Sequence, residues 1–208
     1  MKLELTKHHA LGNDFLVLFH PTAAGLAESD LPEVARRLCD RRRGVGADGL
    51  LIGKSAEGFA AAMVLYNADG SRAEMSGNGI RCFAQALAAR RGNLDPQLIG
   101  TDAGDRLVTL SATDDPHRIE AAVDMGEVNV IDEPDGWARI GTDPMRPVHH
   151  LSLGNPHAVV GVEDVAVVDL VAIGAIVPQV NVEIVEPGPE LHAVTMRVHE
   201  RGAGITLR

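Results

Sequence analysis

Cysteine is scarce in this 208-residue chain, which has two, Cys39 and Cys82. Two thiols are too few for a disulfide framework, and they lack the spacing of a metal site. Aromatic residues are few at 3%, yet the 45% hydrophobic content, rich in Ala, Val and Leu, is that of a globular chain with ample core material. Basic charge is short: the net charge of −10 argues against a nucleic-acid surface or an anionic membrane as main partner. It does not forbid a small anionic ligand, because local arginines and backbone amides can oppose the global field. No 18-residue apolar run occurs, and the start, MKLELTKHHALGNDF, has no apolar signal region, so a cytoplasmic protein is expected. Two adjacent histidine pairs, His8-His9 and His149-His150, fall in strand-like runs, where neighbours point to opposite faces; no metal site is read from them.

What is present is a series of short strand-like runs with few helices between them. LELTKHHA and FLVLF read as strands joined by the turn LGND. SDLPEVARRLCDRRRG reads as a helix with Asp30 as N-cap, Pro32 and Glu33 in its first turn and Gly44 as its stop. LLIGKS and AAMVLYN read as hairpin arms, followed by a helix over about Gly79 to Arg91. QLIGTDAGDRLVTLSATD and HRIEAAVDMG return to strands. From about Pro116 nearly all is strand and turn, with room for one short helix between Asp164 and Ile176. An internal echo, LGNDFLVL against LGNPHAVV, suggests two similar lobes, divided here as residues 1–113 and 114–208.

The motif GVGADG, Gly44 to Gly49, matches a dinucleotide fingerprint, but it follows a helix and opens a strand, the reverse of the required context. A helix stop and a tight turn explain it, and Asp40 with Arg41 to Arg43 read as a solvated helix end. NADGSRAEMSGNGIRC, Asn67 to Cys82, is more specific. Ser76-Gly77-Asn78-Gly79 sets backbone amides at the positive end of a helix dipole, a natural cradle for a carboxylate or phosphate. An N-cap role for Ser76 accounts for part of this run and not for all of it. HERGAGIT, His199 to Thr206, places a Glu-Arg pair before another glycine-rich turn; a surface ion pair is the simpler reading of it alone.

HHALGNDFLVL, CDRRRGVGADGLL, YNADGSRAEMSGNGIRC, LGNPHAVV, QVNVEIVE and ERGAGIT occur in the order seen in the diaminopimelate epimerases, and the chain resembles that family over almost its whole length. The resemblance implies an α/β (α+β) fold of two pseudo-symmetric lobes, each a curved, mostly antiparallel sheet around a central helix, with substrate in the cleft between. It implies a cofactor-independent interconversion of LL- and meso-2,6-diaminopimelate in lysine and peptidoglycan-precursor synthesis, with no pyridoxal phosphate and no metal. An α-proton is a very weak acid, so the family pairs a thiolate base with a thiol acid on opposite faces, each at a helix N-terminus.

Carried over residue by residue, the resemblance makes Asn13 a substrate contact beside the reacting carboxylate, which the amides of Gly77 and Asn78 would bind. Asn67, Asn155 and Asn181 would hold the distal amino-acid end, Arg201 would pair with the distal carboxylate, Glu200 would accept from an ammonium, and His157 would line the site. Two departures stand out. Ser76 occupies the position of the first family cysteine, and a hydroxyl is a poorer base than a thiol with its reference pKa of about 8.5. Neither Cys82, turned into the lobe, nor Cys39, on a buried helix face, replaces it. The second cysteine, its glycine-rich turn and the helix it opens do not follow ERGAGIT, so the second lobe is expected to lack its central helix and to expose an apolar face; a truncated or frameshifted product, or a covering partner chain, would each explain this. Slow or absent catalysis follows, with a hydroxyproline epimerase or dehydratase, or a non-catalytic amino-acid-binding protein, as the alternatives. The expected partner is a small amino acid; family members often form homodimers, and no motif specifies one here.

Overall fold

The computed structural model describes residues 3–20, 25–202 and 204–206, which divide into two compact units, Met1–Gly126 and Glu127–Arg208. In the first, β1 (Thr6–Ala10) and β2 (Asn13–Phe19) pair antiparallel. Their turn holds Leu11 at φ 54° and Gly12 at φ 89°, and the second value is one that glycine reaches without steric cost. Helix α1 (Leu31–Cys39) leads to β3 (Gly49–Lys54), parallel to β2, and β4 (Ala61–Asn67) returns antiparallel to β3. The short β5 (Arg72–Ala73) then precedes helix α2 (Gly77–Arg91), and β6 (Gln97–Thr101), β7 (Gly104–Ala112) and β8 (Ile119–Val123) complete the sheet. Its order is β1-β2-β3-β4-β6-β7-β8, with β5 also on β4.

Period-2 alternation gives this sheet two apolar faces. Phe15, Val17, Leu51, Met63 and Leu65 pack with Ile80, Phe83, Ala84 and Leu87 of α2. Leu16, Leu18, Leu50, Ile52 and Val64 pack with Leu31, Ala35 and Cys39 of α1 on the other side. Helix α2 touches β1, β2, β3, β4, β7 and β8, so the sheet curves around it and most of its residues are buried. That is why it lacks the one-sided polarity of a surface helix.

In the second unit, β9 (Asn129–Val130), β10 (Val148–Ser152), β11 (Pro156–Gly161), helix α3 (Leu170–Ile176), β12 (Asn181–Pro187), β13 (Val194–Glu200) and β14 (Gly204–Thr206) form a sheet of order β14-β13-β12-β11-β10-β9. Its core joins Trp137, Ala158, Val160, Leu170, Val182 and Ile184. Among the described residues α3 is the one α-helix of this unit, and it packs on that face: a Cβ on Gly174 would run into the His199 ring. Helix α3 is the short helix expected between Asp164 and Ile176, and Asp169 caps it, its Oδ1 accepting from Ala172 N at 3.0 Å.

The internal echo is a real structural repeat. β1-β2-α1-β3-β4 and β10-β11-α3-β12-β13 share one plan: antiparallel hairpin, helical crossover to a parallel neighbour, antiparallel return. Phe15 faces Gly49 in register as His157 faces Asn181. The units part after Gly126 rather than after Thr113, because β8 pairs with β7 and so belongs to the first sheet.

Candidate functional site

Ser76 is the N-cap of α2, with extended backbone and Oγ accepting from Gly79 N at 3.0 Å. Its carbonyl also accepts from Ile80 N at 2.9 Å. The amides of Gly77 and Asn78 stand ahead of these in the same turn, at the positive end of a fifteen-residue helix. Ser76 and Gly77 are half-buried, whereas the Asn78 side chain is buried and its Oδ1 accepts from Arg81.

Register brings two predicted residues to this helix mouth. A Cβ on Gly53 would meet the Phe83 ring at 3.1 Å, and one on Gly79 would meet Leu51 at 3.4 Å. Stepping along β3 from Gly53 through Leu51 to Gly49 therefore runs back along α2 toward Ser76. Gly49 is the register partner of both Phe15 and Asn67. By alternation Asn13 shares the α2 face with Phe15 and Val17, and Asn67 shares it with Met63 and Leu65. Asn13 is 4% exposed, and its Oδ1 is a buried acceptor without a partner among the described residues. Asn67 Nδ2 donates to Ser71 Oγ at 3.0 Å.

On the opposite face the same strand ends are clamped by charge. Arg41 donates to both Asp14 oxygens, at 2.6 and 3.1 Å, and to Asp48 Oδ1 at 2.7 Å. Lys7 Nζ pairs with Asp14 at 2.9 Å and donates to Gly46 O at 2.7 Å. Asp14 N donates to Asp48 Oδ2 at 3.0 Å, and Asp48 N to Asp14 O at 2.9 Å. Burial works to raise the Asp14 carboxyl, but the bonds from Arg41 and Lys7 outweigh it and hold it well below the usual carboxylate range. Arg41 is thus not an idle member of a solvated helix end: α1 stops at Cys39, Asp40 accepts from Arg42 N and Arg43 N, and that turn aims Arg41 at the strands. GVGADG does follow a helix and open a strand, and the clamp gives that loop its purpose.

Neither cysteine is placed for chemistry. Burial pushes the Cys82 thiol up to about 12. Burial first, then the Asp14 and Asp48 carboxylates, pushes Cys39 to about 11.

The second unit gathers its predicted residues at one end of β11, β12 and β13. His157 is paired in register with Asn181, and the next step of the β12–β13 ladder sets Asn181 opposite Glu200. Asn181 is 7% exposed, and its Oδ1 accepts from Arg201 N at 2.8 Å. His157 Nε2 lies 3.0 Å from Asn155 Oδ1, and Nδ1 lies 2.7 Å from Glu183 Oε1. Glu183, which touches His157, is not singled out by sequence reading, because its place in NVEIVE reads as the polar side of a strand. Asn155, His157, Asn181, Glu200 and Arg201 are therefore neighbours within their unit, as Asn13, Asn67, Ser76, Gly77 and Asn78 are in theirs.

The profile of the diaminopimelate epimerase family matches residues 5–131. A diaminopimelate epimerase of Desulfitobacterium hafniense is 39% identical over 225 residues, spanning 99% of this chain and 78% of that protein. Diaminopimelate epimerase 1 of Nostoc sp. is 37% identical over 232 residues, spanning 100% of this chain and 80% of its own. Among solved structures, a hydroxyproline epimerase from Agrobacterium vitis superposes with a TM-score of 0.71 at 15% identity, covering 98% of this chain and 71% of that one. A probable proline racemase from Agrobacterium radiobacter gives 0.70 at 16%, covering 98% and 72%. At such identity these two likenesses speak for the fold, which is the two-lobed epimerase fold.

Proposed function

Because the chain belongs to the diaminopimelate epimerase family, we propose that it is an amino-acid epimerase whose substrate is 2,6-diaminopimelate, interconverted between LL and meso forms on the route to lysine and peptidoglycan precursors. We place it in the cytoplasm on the same reading; no helix among the described residues is long and apolar enough to cross a membrane. The observation that carries the proposal is the convergence of Asn13 and Asn67 on the mouth of α2. The reacting carboxylate would lie on the amides of Gly77 and Asn78, whose fixed dipoles stabilise negative charge as hydrogen leaves the neighbouring carbon. Asn13 and Asn67 would orient that end. The residues of the second unit have the chemistry for the distal amino-acid end: Arg201 for its carboxylate, Glu200 for its ammonium, Asn155, His157 and Asn181 for amide and imidazole bonds. No pyridoxal phosphate is needed, since the helix mouth supplies the charge.

Ser76 is the weak point of this chemistry. Its oxygen accepts from Gly79 N at 3.0 Å, which fixes it as a cap, and a hydroxyl, far less acidic than a thiol, is a poor base even there. The purified chain should exchange substrate α-hydrogen with solvent deuterium slowly. Exchange at one carbon needs a single base, so Ser76→Cys should accelerate deuterium incorporation into meso-diaminopimelate by about 100-fold. Equal rates for both chains, or rapid exchange by the natural one, would contradict the assignment of Ser76 to the base position.

A further inference from the structure

Glu183 stands in the middle of β12, between register partners Val159 and Val198. It is 7% exposed, and Val198 beside it is 1% exposed. A carboxylate in such a strip costs free energy, and an apolar side chain of similar volume would stabilise the sheet better. Glu183 gains little in return from the fold. Oε1 meets His157 Nδ1 at 2.7 Å, while Oε2 is buried without a partner among the described residues. Its one strong bond is thus spent on an imidazole, and that imidazole is itself committed on its other side, Nε2 lying 3.0 Å from Asn155 Oδ1.

From this geometry we infer that Glu183 is a positioning residue: its carboxylate fixes the His157 ring, and through that ring the Asn155 side chain, in the orientation that receives substrate. The inference rests on the assignment of His157 and Asn155 to the diaminopimelate site. The physical content is directional. A carboxylate oxygen against Nδ1 requires the hydrogen to be on Nδ1, which leaves Nε2 an acceptor; the Asn155 amide, turned end for end so that its Nδ2 faces the ring, donates to it, and the ring is held from flipping. Asn155 lies just ahead of β11, after Gly154 at φ 94°, and its side-chain amide meets the His157 ring. Without Glu183, two side chains lose their aim together.

The test uses the full chain with three substitutions: Glu183→Leu, Glu183→Gln and His157→Ala. Nitrogen-15 spectra of the histidine rings read the hydrogen position on His157, calorimetric titration with meso-diaminopimelate reads affinity, and thermal melting reads the fold. E183L should melt no lower than the natural chain, lose the fixed Nδ1–H signature of His157, and bind meso-diaminopimelate about 10-fold more weakly. E183Q keeps an acceptor oxygen and should restore both the ring signature and most of the affinity. Should E183L fail to fold, Glu183→Ala carries the same expectations for ring and affinity. An unchanged His157 ring in E183L overturns the inference, as does full affinity in E183L when H157A weakens binding. Unchanged affinity in H157A as well, with the ring signature still lost in E183L, sustains the positioning of His157 and instead removes His157 from the substrate site.

Discussion

At the scale of single residues, what matters is which groups can carry a charge where they sit. Ser76 caps α2, but its hydroxyl lacks the acidity of a thiol in that place. The two thiols have the acidity in principle and lose it to burial, Cys39 at about 11 and Cys82 at about 12. At pH 8 the folded chain should therefore resist iodoacetamide, while the denatured chain labels at both cysteines; Ser76→Cys should add a single reactive site, helped by the helix N-terminus. Mass spectrometry of the alkylated protein checks this, and rapid labelling of Cys82 in the folded state would show that the packing of α2 is misjudged. The capping role of Ser76 was legible in the sequence, since a serine before Gly77 and a helical run admits few other geometries. The burial of Cys82 was legible too, six residues on along the same helix.

Elements set the positions that residues alone do not. Strands β2 and β3 begin at Asn13 and Gly49, and Arg41 ties Asp14 to Asp48 on the back of those entries. This clamp was invisible in the sequence: Arg41 lies 27 residues from Asp14, and a basic run at a helix end reads as solvated. What joins them is the parallel register of β2 and β3, a long-range pairing that no local pattern encodes. The clamp has a pH signature. The Asp14 carboxyl is held below its ordinary range in the folded state, so its stabilisation is present above the unfolded-state value of about 3.9 and is lost as pH falls below it. Urea midpoints of the natural chain should thus drop more between pH 5 and pH 3 than those of Asp14→Asn, the ranges being estimates from that reference value. Parallel decline of both would show that Arg41 and Lys7 contribute nothing measurable there. Glu183 escaped sequence reading for a related reason. Strand alternation assigns it correctly to the face of Asn181, but only the neighbouring strands, with Val159 and Val198, make that face dry.

At the scale of the whole molecule the chain is one plan used twice. The repeat shows in the sequence as LGNDFLVL and LGNPHAVV, and in the structure as matched ladders with Asn13 and Asn155 at equivalent strand entries. Most of the architecture was readable from period-2 runs and turn residues; α3 falls where room for a short helix was read, although its seven residues, rich in Val, Ile and Ala, satisfy strand and helix alike. The division of the units was displaced because HRIEAAVDMG has no local mark of which sheet it joins. The central claim is that the mouth of α2 receives the carboxylate of an amino acid. Titrating the nitrogen-15-labelled chain with meso-diaminopimelate, and following the backbone amides of Gly77 and Asn78, tests it most directly. These two signals should move furthest downfield and saturate together with those of Asn13 and Asn67. Saturating shifts elsewhere in the chain, with Gly77 and Asn78 unmoved, would contradict it.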